Sequence, residues 1–317
     1  MTAERHLLID LGGTHTRVAQ GGPDGLIQHS IRTYKNRAFA GLGQVLDAFL
    51  QDQPGQVTAL CAGVAGPVQE NTAQLTNFDW FIDGPTLKAQ TGARHVALIN
   101  DLQAQGYALD DVPASAIHRV KPGTQSGPTR MVLNLGTGCN CAVVHRVAGQ
   151  LYVPAAESGH SALPHAHNDL HALFEHLRQD QAHLPIEAIL SGPGLARVHA
   201  WVTGQSHTPE AVMDAINAGD DTAHQTLSLF LKTLGAVAGN LALHHLPLGG
   251  IYLSGGLSQA LTHHIDHEAF LTAFSDKGPY TDIVRAMPVS VIADDGFALH
   301  GCHRVLAQTL QSRAATS

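Results

Sequence analysis

Two short glycine turns carry the pattern in this 317-residue chain that points most directly to chemistry. Residues 9–19 read I-D-L-G-G-T-H-T-R-V-A, and residues 133–143 read L-N-L-G-T-G-C-N-C-A-V. Aligned from Ile9 and Leu133, strand, turn and second strand coincide without a gap, so each half of the chain is expected to open with the same hairpin. Glycine between two strands lets backbone N–H groups come close to an anion, because no Cβ intervenes and positive φ is open to it. Two such turns would hold a polyphosphate. Either turn standing alone is equally a plain tight hairpin, and it is the pairing that favours the functional reading.

Other phosphate-binding devices are excluded. No glycine precedes lysine and then serine or threonine, as a Walker A loop requires, and no G-x-G-x-x-G stands between a strand and a helix. Asp10, Gly12, Gly13 and Thr14 remain in the first turn, and Gly136, Thr137 and Gly138 in the second. Neither turn contains lysine, so phosphate charge would be met by backbone donors, threonine hydroxyls and Mg²⁺. Asp10 stands where it would hold a metal-bound water. A third candidate is Asp101, which follows an apolar run and should project from the carboxyl end of a strand, where α/β sheets bind ligands. Alone, such an aspartate reads as a helix N-cap.

Short apolar runs alternating with helical patterns position these groups, and that alternation marks an α/β chain. Buried strands are expected at 7–10, 57–64, 95–99, 131–135, 250–254 and 289–293. Leu42, Val45, Leu46, Phe49 and Leu50 repeat at helical spacing, as do Leu227, Phe230, Leu231, Leu234, Val237 and Leu241. The polar, proline-bearing stretch 110–129 reads as a connection between lobes. At roughly 150 residues per domain the length predicts two lobes with a cleft between them. The expected division is 1–110 with 298–317 in a small α/β domain, and 111–297 in a large one.

Composition narrows the function. The chain is 44% hydrophobic and 14% charged, which excludes disorder. Its net charge of −8 offers no broad basic field to nucleic acid. Apolar stretches such as Val57 to Val68 fall short of the roughly 18 residues that span a bilayer. The start, M-T-A-E-R-H-L-L-I-D, lacks the features of a secretory signal, so neither membrane nor export is expected and the cytoplasm is the default location. Cys61, Cys139, Cys141 and Cys302 are too scattered for a disulfide framework and are expected as reduced thiols.

With these turns in place, the sequence resembles the bacterial glucokinase family. The matching segments are D-L-G-G-T (10–14), C-A-G-V-A-G-P-V (61–68), L-T-N-F-D-W (75–80), I-N-D-L (99–102), L-G-T-G (135–138), E-S-G-H (157–160), E-A-I-L-S-G-P-G-L (187–195), L-S-G-G-L (253–257) and D-K-G (276–278). They run in family order over nearly the whole chain. The resemblance implies the two-lobed, actin/hexokinase-like (ribonuclease H-like) α/β fold with an interdomain cleft. It also implies ATP-dependent phosphorylation of the 6-hydroxyl of a hexose, glucose foremost, with Mg²⁺, and a homodimer is the expected assembly.

Phosphorylating a hydroxyl needs a carboxylate beside it to accept the proton as the γ-phosphate is attacked. In the family this base is the aspartate of N-D, here Asp101, and the asparagine before it, Asn100, binds sugar hydroxyls. Glu157, His160 and Glu187 match the sugar ligands, and carboxylates suit vicinal hydroxyls because two acceptors meet two donors. Gly192, Gly255 and Gly256 resemble the glycines beside the adenosine. Trp80 reads as core rather than site.

Three positions depart from the family pattern. His15 replaces asparagine, with altered sugar or metal contacts as the expected consequence. Asn140 replaces glycine, and its side chain is expected to crowd a phosphate. Ser158 replaces glycine and is expected to narrow or rewire the sugar loop. The alternatives these changes keep open are a related hexose or amino-sugar kinase and a non-catalytic sugar-binding descendant. Only nine residues precede Asp10, which leaves no room for the DNA-binding segment of a regulator. The histidines 160, 165, 167, 171, 176 and 183, and 263, 264 and 267, lack a zinc-protease motif and read as solvated surface. The zinc-binding cysteine cluster of the sister repressor and sugar-kinase group is absent.

Overall fold

The computed structural model describes residues 5–75, 78–164, 168–179, 183–265, 267–294 and 296–314. The chain divides into two compact units. One comprises Met1–Pro113, Arg146–Ala155 and Asp294–Ser317; the other comprises Ala114–His145 and Ala156–Ala293.

In the first unit, strands run in the order Gly25–Leu26, His15–Gly22, His6–Leu11, Ala59–Val64, His95–Asn100, with Arg32–Lys35 also paired to His15–Gly22. The hairpin is antiparallel, and the two strands beyond it run parallel to His6–Leu11. Strand His6–Leu11 is buried throughout, because both sheet faces are covered. Leu7, Ile9 and Leu11 pack with Leu42, Val45, Leu46 and Phe49 of the helix Leu42–Asp52, while Leu8 faces Cys61, Leu299 and Cys302 on the other side. Trp80 belongs to the first of these cores. A small sheet of Val68–Gln69, Thr72–Gln74 and Phe81–Asp83 had no signal in the sequence, its strands being only two or three residues long.

The second unit carries a mixed sheet in the order Ile117–Lys121, Val289–Ile292, Ile251–Ser254, Arg130–Leu135, Cys139–Val147. Its core is organised on the helix Asp221–His245, which is long and apolar enough to cross a membrane, although 72% of its apolar window is buried in the structure. Gly235 and Gly239 let the helix Glu268–Ser275 lie against it: a Cβ at either would stand 2.4 Å from a carbonyl of that helix.

Two sequence expectations need correction here. The stretch 110–129 is not only a connection, because Ile117–Lys121 forms an edge strand antiparallel to Val289–Ile292. Its charged residues and a bulge between Arg119 and Lys121 disguise it, as is usual for edges that must not pair further. The two hairpins also differ in register. Leu11 opposes Thr16, whereas Leu135 opposes Cys139 rather than Asn140. The gapless alignment is therefore off by one residue past the turn, and a one-residue slip exchanges the faces of every side chain in the second strand.

Candidate active site

In the first unit, Leu11, Val64 and Asn100 are neighbours in register across three parallel strands. The turn 12–14, the loop after Val64 and the helix Asp101–Ala108 therefore all leave the sheet at its carboxyl edge. Asn100, 3% exposed, is the helix N-cap. Its Oδ1 accepts from Leu102 N at 2.9 Å, Gln103 Oε1 accepts from Asn100 N at 3.0 Å, and its Nδ2 donates to Gly66 O at 3.2 Å. This reciprocal cap puts the N-cap one residue before Asp101. Asp101 is instead the first helical residue, half-buried, with Oδ1 accepting from Leu102 N at 2.9 Å.

Asp10 is 7% exposed and lies across the hairpin from Arg17, with Oδ2 3.1 Å from Nη1. Its hard oxygens suit Mg²⁺ held mainly by phosphate and water, although Arg17 shares the carboxylate. The adjoining turn is clamped by Asn36, a fully buried residue without a signal in the sequence. Asn36 Nδ2 donates to Gly12 O at 2.8 Å, Asn36 N donates to Thr14 O at 3.0 Å, and its Oδ1 accepts from Thr16 Oγ1 at 2.7 Å. Thr14, His15, Lys35, Arg37 and Phe78 line a cavity of about 350 Å³ beside this turn. The turn itself lacks lysine, but the pairing of His15 with Lys35 brings cations to it from a separate strand.

The second unit builds its groups around the other turn. Gly136 N donates to Gly138 O at 2.9 Å, and Gly192 N donates to Gly136 O at 2.8 Å, which docks the start of the helix Gly192–Thr203 on the turn. Gly136, Thr137, Gly192 and Gly256 line one cavity of about 640 Å³ together with Met213, Asp214 and Asn217 of the helix Pro209–Asn217. Those helix residues were not found from the sequence, since nothing local ties them to a turn some seventy positions earlier. Gly255 has φ +87°, and a Cβ there would stand 2.5 Å from Leu135 O. By contrast, Gly12, Gly136 and Gly138 do not occupy the left-handed region, contrary to the conformational reason expected for them. They serve close approach instead: a Cβ on Gly138 would lie 3.1 Å from Glu187 Oε2.

The sugar-side candidates of this unit form a second cluster. His160 Nδ1 lies 3.5 Å from Glu187 Oε1, and Ser191, the N-cap of the helix Gly192–Thr203, donates from Oγ to Glu187 O at 2.8 Å. Burial pushes the Glu157 carboxyl above its ordinary range; His160 opposes this shift and Glu187 adds to it. Asn140, 9% exposed, is engaged with this loop rather than with the phosphate turn, which overturns the expected crowding. Its Nδ2 donates to Ala156 O at 2.7 Å and to Glu157 Oε2 at 3.1 Å, and its Oδ1 accepts from Cys141 N at 2.8 Å and from Ser158 N at 2.9 Å. The register slip explains the difference, because position 140 stands one place further along the strand than the echo with Thr16 implied.

The first unit thus holds Asp10, Gly12, Gly13, Thr14, Asn100 and Asp101, and the second holds Thr137, Gly138, Glu157, His160, Glu187, Gly192, Gly255 and Gly256. Among the described residues no three metal-ligating side chains gather, and His165 and His167 lie outside the described residues. Thr76 and Asn77 of L-T-N-F-D-W lie outside them too.

The sequence profile of the glucokinase family matches residues 7–309. A glucokinase-like protein of Xylella fastidiosa (strain Temecula1) is 31% identical over 314 residues, covering 94% of this chain and 93% of its own length. A glucokinase of Psychromonas ingrahamii is 30% identical over 313 residues, covering 96% and 97% respectively. The crystal structure of a glucokinase from an Antarctic psychrotroph superimposes with a TM-score of 0.83 at 26% identity, covering 96% of this chain and 99% of that one.

Proposed function

The chain belongs to the glucokinase family, and from its residues we propose that it transfers the γ-phosphoryl group of ATP to the 6-hydroxyl of a hexose, glucose foremost. The observation that carries this reading is Asp101, a half-buried carboxylate at the carboxyl ends of three parallel strands, on the first residue of a helix whose N-cap is Asn100. Asp101 accepts the hydroxyl proton as that oxygen attacks phosphorus, and the leaving group is ADP. Asn100, held by Leu102 N and Gly66 O, fixes the start of the helix and hence the direction of Asp101. Glu157, Glu187 and His160 bind vicinal hydroxyls and orient the sugar.

On the nucleotide side, the cavity at Thr137, Gly192 and Gly256, whose lining includes Met213, Asp214 and Asn217, is the candidate site for the adenosine. In each unit the glycine turn, Gly12–Thr14 in one and Gly136–Gly138 in the other, offers backbone N–H groups and hydroxyls to phosphate oxygens. Asp10 is the residue that would hold Mg²⁺, which when bound would neutralise charge on the phosphates.

A coupled ADP-release assay with ATP and Mg²⁺ across glucose, mannose, fructose, galactose, N-acetylglucosamine and N-acetylmannosamine tests the reading. Glucose is expected to give the fastest release. If no hexose raises release above the sugar-free rate, the reading fails; a clear preference for an amino sugar would reassign the substrate.

A further inference from the structure

Asn140 and Ser158 are joined in the structure by a hydrogen bond from Ser158 N to Asn140 Oδ1 at 2.9 Å. We infer that Asn140 is a positioning residue for the sugar-binding loop, presetting Glu157 and Ser158 before the hexose arrives. This rests on the proposed hexokinase reading for its consequence, but not for its geometry.

The carboxamide fills all of its roles at once. Its two oxygen lone pairs take backbone N–H groups from Cys141 and Ser158, and its nitrogen donates to the Ala156 carbonyl and the Glu157 carboxylate. One side chain therefore ties the strand Cys139–Val147 to three consecutive loop residues. Two further contacts hold the loop down. Cys141 Sγ donates to Ser158 Oγ at 3.2 Å, and Gly159 lies so close to the strand that a Cβ would stand 1.6 Å from Cys139 O. Glycine at 140 would offer none of the four bonds, and glycine at 158 could not receive the thiol. Asn140 and Ser158 thus hold the loop fixed where glycines would leave it free, and ordering a binding loop in advance strengthens ligand binding.

The contact to Glu157 has a second consequence. Among the groups facing this carboxylate are His160 on its own loop, Glu187 from the turn Ile186–Ala188 and the Asn140 amide from the strand. An N–H donor favours the ionised carboxylate, which is the form that accepts from two sugar hydroxyls.

Asn140→Gly tests the assignment through three measurements. First, amide hydrogen exchange without any ligand should be slow at Ser158 in the unchanged protein and at least tenfold faster in the variant. Equal exchange in the two proteins would overturn the tether, whatever the activity proves to be. Second, the glucose KM should rise about tenfold while the ATP KM stays within about twofold and kcat within about threefold. A raised ATP KM with an unchanged glucose KM would place Asn140 on the phosphate side and contradict the inference. Third, the acid limb of kcat/KM for glucose should move, because Asn140 contacts the Glu157 carboxylate; a role that does not reach Glu157 would leave that limb in place. If Asn140→Gly does not fold, Asn140→Ala serves the same comparison. Absence of hexose-dependent ADP release from the unchanged protein would count against the kinase reading alone, and the exchange measurement would still decide the tether.

Discussion

The two glycine hairpins share a strand–turn–strand pattern and are held in different ways. The first turn rests on a polar clamp supplied from outside the hairpin: Asn36 meets Gly12, Thr14 and Thr16, and Arg17 faces Asp10 across the ladder. The second rests on close packing, with the helix start at Gly192 bonded to Gly136, Gly255 pressed on Leu135, and Gly138 against Glu187. The polar position after the second turn, Asn140, then serves the neighbouring sugar loop. A shared motif therefore specifies a turn at a strand end, while the partners that stabilise it and the ligand group it faces are set by distant segments.

If this contrast is right, the largest loss of stability comes from the clamp. Asn36→Ala leaves the buried Thr16 hydroxyl and the Gly12 carbonyl without their partner, and each orphaned buried group costs about 1–3 kcal/mol. Chemical unfolding should show a loss of about 3 kcal/mol together with a raised ATP KM; a loss below about 1 kcal/mol would mean that the ladder alone holds the turn. Gly255→Ala sharpens the other half. It combines a left-handed φ with a 2.5 Å approach to Leu135 O, so a loss of about 2 kcal/mol is expected. Gly256→Ala, at the next residue and in open space, should stay within about 0.5 kcal/mol of the unchanged protein, since alanine is the better helix former. Equal effects at 255 and 256 would break the packing account.

Much of this arrangement was legible in the sequence because it depends on local pattern. Buried strands such as His6–Leu11 and Ile251–Ser254 appear as apolar runs, and the helix Leu42–Asp52 as helical spacing. The candidate groups fall at strand ends for the same reason. What was not legible depends on pairing between distant segments. Lys35 and Arg37 reach Thr14 only because Arg32–Lys35 pairs with His15–Gly22, and Asp214 reaches Thr137 only through the packing of a later helix. The hairpin echo gave the right elements with the wrong register, since one residue gained in a turn leaves no mark on composition. The direction of Asn140 followed from that register and was misread with it.

The central claim is that Asp101 is the base of a phosphoryl transfer and not a structural residue, and Asp101→Asn tests it most directly. Asparagine keeps the size and hydrogen-bonding reach but cannot take the hydroxyl proton. The account predicts a fall in kcat of about 10²- to 10⁴-fold. Glucose affinity by calorimetry should change less than about tenfold, and stability by less than about 1 kcal/mol, because Asn100 is the helix N-cap and asparagine at 101 keeps the Oδ1 that accepts from Leu102 N. A folded Asp101→Asn protein with near-normal kcat would contradict the account and require a different carboxylate to accept the proton.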